Sequence, residues 1–85
     1  MLNQAVLVGK YIGTNRPDVI SLDLGEENGF KNIIPIQVNA HMLQDALEYA
    51  HEGDMIGVRC KIKANPIDFD TVFLEAERIS IISKK

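Results

Sequence analysis

Two periods run along this chain. Most of it repeats apolar residues at every second position in short runs cut by Gly or Pro, and one central stretch repeats them every three to four. The first pattern is that of a strand with one covered face, the second that of an amphipathic helix. Residues 3–13 hold the first run: Ala5-Val6-Leu7-Val8, then Gly9, Lys10, Tyr11 and Ile12. Both faces are apolar through Val8, so this strand needs cover on two sides. Gly9 within the run predicts a bulge or a close backbone approach. Thr14-Asn15-Arg16-Pro17-Asp18 reads as a turn. Residues 19–24 alternate cleanly, with Ile20, Leu22 and Leu24 facing one way and Val19, Ser21 and Asp23 the other. Gly25-Glu26-Glu27-Asn28-Gly29 is a hairpin loop built on the Asn-Gly turn pair. The next strand, 32–38, points Ile34, Ile36 and Val38 inward, and Pro35 marks a ladder gap, an edge or a bulge.

Residues 40–51 change period. Met42, Leu43, Ala46, Leu47 and Ala50 form the stripe of a helix of about three turns. Asn39 is its expected N-cap and Gly53 its expected C-terminal stop. Residues 55–63 return to alternation, with Ile56, Val58, Cys60 and Ile62 inward and Arg59, Lys61 and Lys63 outward. Asn65-Pro66-Ile67-Asp68 breaks that strand. The last strand, 71–82, sets Val72, Leu74 and Ala76 on one side, then shifts phase at Ile79, Ile81 and Ile82, which predicts a bulge or a strand end. The order is β-β-β-α-β-β. Five short strands with one helix between the third and fourth predict an all-β, five-stranded Greek-key barrel, the OB-fold. An SH3-like barrel is the competitor, and it usually lacks a three-turn helix at this point.

Composition narrows the classes. With 85 residues the chain is read as one OB-fold domain, 1–85. A chain of this size buries only about 60–65% of its unfolded surface, so assembly with other copies would add needed burial. An apolar fraction of 46% with 25% charged residues excludes disorder as a description of the whole. No apolar run approaches the roughly 20 residues of a membrane span. Met1-Leu2-Asn3-Gln4 lacks the basic start of a secretory signal. The single cysteine, Cys60, can make no internal disulfide and excludes a Cys-based zinc site, so a reducing, cytoplasmic setting is expected. The net charge of −3 argues against a strong global pull toward nucleic acid or anionic membrane, yet allows a locally basic groove.

Three segments carry a family resemblance. The opening, Met1-Leu2-Asn3-Gln4-Ala5-Val6-Leu7-Val8-Gly9-Lys10, resembles the start of bacterial single-stranded DNA-binding proteins. Glu52-Gly53-Asp54-Met55-Ile56-Gly57-Val58 is similar to that family's entry to the fourth strand. Leu74-Glu75-Ala76-Glu77-Arg78-Ile79-Ser80-Ile81-Ile82 resembles its closing strand. The resemblance spans nearly the whole chain in order. It implies an OB-fold that binds single-stranded DNA, with RNA as the alternative ligand, in replication, recombination or repair, and that pairs first strands across a two-fold axis. The family stacks bases on aromatics, several of them Trp. Here Trp is absent, and Val38 or Asn39 occupies the place after the third strand that commonly holds one. The family's flexible tail with an acidic-apolar tip is also absent, as in its small primosomal relatives. A minimal, tailless member is therefore expected.

The candidate nucleic-acid-binding residues are Phe30, Lys31, Arg59, Lys61, Lys63, Phe69 and Phe73. Arg59, Lys61 and Lys63 stand at i, i+2, i+4, a row suited to phosphates or, alternatively, to guarding a strand edge. Phe30, beside Lys31, and Phe69 fall in hairpin loops, where a ring either stacks on a base or packs back on the barrel. Glu26, Glu27, Asp68 and Asp70 flank them and would repel phosphate. Phe73 has the outward phase of the last strand. Tyr11 and Tyr49 read as packing residues. His41 and His51 are too far apart on the helix to share a metal, and no spacing suggests a metal site, a cofactor or a nucleophilic triad. Two functions follow: a sequence-tolerant single-strand binder, or a protein-interaction module of a replication or mobile-element complex. Either is expected to form a homodimer or homotetramer through the first strand, because that strand is apolar on both faces.

Overall fold

Strand β1 (Ala5–Tyr11) carries the first apolar run and lies between β2 (Val19–Glu27) and β4 (Met55–Ala64), antiparallel to both. β2 turns back into β3 (Phe30–Gln37), helix α1 (Ala40–Tyr49) follows, and β5 (Val72–Ser83) returns antiparallel to β4. β5 also runs parallel to β3, pairing Ile36 with Leu74 and Gln37 with Glu75. That pairing closes a barrel in the order β1-β2-β3-β5-β4. The topology is the predicted five-stranded OB-fold, and its helix between β3 and β4 rules out the SH3-like competitor. This computed structural model describes every residue except Asn15, within the predicted Thr14–Asp18 turn, and the side chain of Leu47, within the predicted helix stripe.

The core is what the alternation foretold. Ile20, Leu22, Ile36, Val38, Ile56, Val58 and Cys60 are buried inside the barrel with Tyr11 and Ala76. Met42 and Leu43 bring the helix onto this cluster, beside buried Ala50. Each large apolar side chain so buried contributes on the order of 1.5–3 kcal/mol. Asn39 caps the helix, its Oδ1 accepting from the Met42 N–H at 2.8 Å. At Gly9 a β-carbon would stand 2.6 Å from the Asp23 carbonyl oxygen and 2.8 Å from Leu24 Cδ2. Only glycine permits β1 to approach β2 so closely.

Several expectations are corrected. The predicted hairpin loop 25–29 shrinks to Asn28-Gly29, with φ of 54° and 82°, a type I′ turn. β2 continues through Glu27 because Gly25, at φ 104°, absorbs a register shift between Asp23 and Glu26. Phe30 is therefore the first residue of β3 rather than a loop residue. The helix stops at Tyr49, with Ala50 as its C-cap, and not at Gly53. Gly53, at φ 99°, instead shapes the turn into β4, where a β-carbon would lie 2.6 Å from Lys85 Cδ. Ser21, assigned to the outer phase, is buried, whereas Ile62, assigned inward, and Val72, set on the same side as Leu74 and Ala76, are exposed. Val72 precedes Leu74, the first β5 residue that pairs with β3, whereas Ile62 stands directly across the ladder from Leu74. The phase shift in β5 is real: its register skips Glu77 and then Ile82 against β4.

Candidate nucleic-acid interface

β3 and β5 are bonded at two positions only, Ile36–Leu74 and Gln37–Glu75. Away from these pairs the β2–β3 and β4–β5 hairpins diverge and leave an open groove of about 510 Å³. Arg16, Ile34, Pro35, Gln37, Asn65 and Phe73 line it. Pro35 stands where β3 has lost its β5 partner, so its missing N–H leaves no ladder bond unmade.

Each hairpin ends in an exposed phenylalanine. Phe30 follows the Asn28-Gly29 turn and is 77% exposed, with Lys31 next to it and opposite Glu26. Phe69 lies in the β4–β5 loop and is 90% exposed. That loop is braced by its own side chains. Asn65 Oδ1 accepts from the Ile67 N–H at 2.9 Å and the Asp68 N–H at 3.3 Å, and Asp68 Oδ1 accepts from the Asp70 N–H at 3.1 Å. Neither ring packs back on the barrel. Phe73 is half-buried in the groove wall, directly across the ladder from Lys63.

Arg59, Lys61 and Lys63 project from β4 as expected, but each meets a carboxylate from β5. Lys63 Nζ lies 3.0 Å from Glu75 Oε1, Lys61 Nζ 3.7 Å from Glu77 Oε2, and Arg59 Nε 4.0 Å from the other Glu77 oxygen. All five side chains keep substantial solvent exposure. The fold thus gathers Arg59, Lys61, Lys63 and Phe73 on one face, with Phe69 at the end of the same hairpin and Phe30 and Lys31 on the opposite one.

Some residues escaped the sequence reading. Arg16 lines the groove, yet a lone cation in a turn has no period to mark it. Glu75 and Glu77 had the outward phase of β5, but their register against β4 is a tertiary fact. Tyr49 is corrected: its ring is exposed beside α1 rather than packed. Tyr11 is buried as expected, and burial, helped by Glu52, pushes its phenol up. Burial, with Glu77 adding to it, likewise raises the Cys60 thiol. His41 faces Asp45 at 3.6 Å on the helix surface. Among the described residues no three His, Cys, Asp or Glu side chains gather as a metal site, and no helix is long and apolar enough to cross a membrane.

At the opposite end of the barrel, Asp54 is buried in the turn before β4. Its carboxylate accepts from the backbone N–H groups of His51 and Lys85, each at 2.9 Å, and faces Lys84 Nζ at 3.1 Å. These hydrogen bonds, the His51 and Lys85 ones foremost, hold its pKa down to about 2 against the opposing effect of burial. Lys84 Nζ also donates to the Tyr49 carbonyl at the helix end.

No family model matches this sequence, and no curated protein does. Solved structures do. A mitochondrial single-stranded DNA-binding protein from S. cerevisiae, Rim1, superposes with a TM-score of 0.77 at 17% identity, covering 100% of this chain and 98% of its own. A second crystal form of that protein also gives 0.77. A small single-stranded DNA-binding protein from Streptomyces coelicolor gives 0.66 at 15% identity, covering 96% of both chains. At such identities what is shared is the backbone: from end to end, this chain is folded as those single-stranded DNA-binding proteins are, on a closed OB barrel.

Proposed function

We propose that residues 1–85 form one domain that binds single-stranded DNA with little sequence preference, as a binding protein and not an enzyme. One observation carries the reading. The groove between the diverging hairpins has a half-buried Phe73 and Arg16 in its wall, and each bounding hairpin ends in a solvent-exposed phenylalanine. Non-specific single-strand recognition needs both elements: rings on which bases stack, at about 1–3 kcal/mol each, and cations that follow the backbone. Lys31 and the Arg59-Lys61-Lys63 row supply further cations. The shared fold with proteins of that activity supports the same assignment, and RNA is a second ligand of the same chemistry. Roles in replication, recombination or repair, in a cytoplasmic, reducing compartment that suits the unpaired Cys60, follow from this reading.

Fluorescence anisotropy with a labelled oligo-dT at low salt is the test. Single strands should bind better than duplex. If all three β4 cations reach phosphates, the log–log salt slope should be about −2 per protomer. Absence of binding at micromolar protein in low salt would overturn the assignment. It would favour the second reading, a protein-interaction module, for which the acidic flanks Glu26-Glu27 and Asp68/Asp70 speak.

The domain is further proposed to work as a homodimer or a tetramer of dimers through β1. Val6 and Val8 are both more than half exposed on its outer face. Beside them Gly57 leaves Val8 and the exposed Ile82 as neighbours, within 3.9 and 3.2 Å of where its β-carbon would be. A 9.5 kDa species by light scattering at micromolar concentration would refute the assembly.

A further inference from the structure

Resting on the single-strand reading above, we infer that Glu75 and Glu77 are built-in competitors for the phosphate sites of β4. They would make nucleic-acid binding an exchange of one anion for another.

The geometry is specific to this ladder. Lys61 and Glu75 are direct cross-strand partners, Lys63 faces Phe73, and Arg59 faces Arg78. Two like-charged arginines opposite each other would repel. The register skip at Glu77 places a carboxylate within 4.0 Å of Arg59 and 3.7 Å of Lys61, so one bulge residue serves two cations. Glu75 closes the row on Lys63 at 3.0 Å. Each of the three cations thereby stands within 4.0 Å of a carboxylate, with two carboxylates shared among three positive charges. The side chains of the cations remain 43–49% exposed and those of Glu75 and Glu77 42% and 32%. Ion pairs this exposed are weak and exchange readily.

A phosphate arriving on this face meets cations already partnered. To engage them it must displace Glu75 and Glu77, which then stand as unpaired negative charges beside the strand. Two consequences follow. Affinity is lower than three free cations would give. The salt slope is shallower, because fewer phosphates are neutralised in the complex.

The test uses the isosteric double variant Glu75→Gln/Glu77→Gln on the full chain, with oligo-dT anisotropy across a salt series. Its affinity at low salt should exceed that of the wild type by about three- to thirtyfold, the worth of three exposed ion pairs. The log–log slope should steepen by about 0.7 for each cation newly committed to a phosphate. A matched control, Asp45→Asn/Glu48→Gln on α1, changes net charge equally and should give a much smaller gain. Adding Arg59→Gln and Lys61→Gln to the Glu77→Gln variant should erase its gain. An equal gain in the control would overturn the inference in favour of a global charge effect. Unchanged affinity in the double variant, with wild type binding normally, would overturn it while leaving single-strand binding in place. Failure of wild type and variant alike would overturn the function itself. Thermal melting of each variant separates loss of fold from loss of binding.

Discussion

The two ends of this barrel use the same kinds of side chain for opposite purposes. Around Asp54, one buried carboxylate takes two backbone N–H donors and a half-exposed lysine ammonium. Along β4 and β5, two carboxylates meet three cations with no backbone donor, and all five side chains stay partly open to water. The first arrangement has fixed partners, and its charge is spent on holding the segment after β5 against the turn that follows α1. The second can change partners without disturbing the core. Aromatics divide likewise: Tyr11 is sealed into the barrel, whereas Phe30 and Phe69 stand in solvent. Polar and aromatic groups are structural where the backbone converges on them. They stay open to solvent where the hairpins diverge.

The largest expected effect breaks the closed end. Asp54→Ala leaves the His51 and Lys85 amides and the Lys84 ammonium without their shared acceptor. It should lower the melting temperature more than neutralising any of Arg59, Lys61, Lys63, Glu75 or Glu77. A variant at one of those five charged positions that melts lower than Asp54→Ala would reverse the assignment of roles. Acid titration sharpens the same point. Because the folded carboxyl titrates at about 2 and the ordinary value is 3.8, its contribution is complete above the ordinary range and is lost as pH falls toward 2. The Asp54→Asn variant should show a correspondingly flatter stability profile between those pH values.

At the open end, charge reversal comes next. Lys61→Glu/Lys63→Glu should abolish oligo-dT binding while the melting temperature changes little. Retained affinity would return the row to edge protection. Smaller again are Phe30→Ala and Phe69→Ala, each expected to weaken single-strand affinity by about 1–3 kcal/mol with little loss of stability. A core ring would instead cost about 3–5 kcal/mol of stability on truncation. Measuring both quantities on one variant therefore decides whether a ring stacks or packs. The smallest effect belongs to Glu75→Gln alone, which should change stability by less than about 1 kcal/mol, as an exposed pair does.

Much of this was legible from local pattern. Ile20, Leu22, Ile36, Ile56 and Val58 follow period two, and their burial is a direct reading of which side of a pleat must leave water. Asn28-Gly29 and Asn39 are short-range signals, since a type I′ turn and an N-cap are made by the residues themselves. Gly53 misled because the same glycine signal serves a helix stop and a tight turn. The helix already ends at Tyr49, and the Gly53 N–H donates instead to the Tyr11 carbonyl at 2.8 Å. Phe30 and Phe69 were placed near hairpin ends, but whether a loop ring leans inward depends on how the loop is braced.

The sequence by itself determined the elements, their order and the faces that had to be buried, because these rest on periodicity and on steric preferences of neighbouring residues. It also determined which residue types were available for binding: no Trp, three Phe and one alternating row of cations. Tertiary structure alone decided what those residues meet. The Glu75 and Glu77 partners depend on the β4–β5 register and its bulge, and the groove depends on where β3 and β5 cease to pair. The Asp54 clasp joins positions about thirty residues apart. No local signal carries such long-range coincidences, since each is set by the closure of the whole barrel.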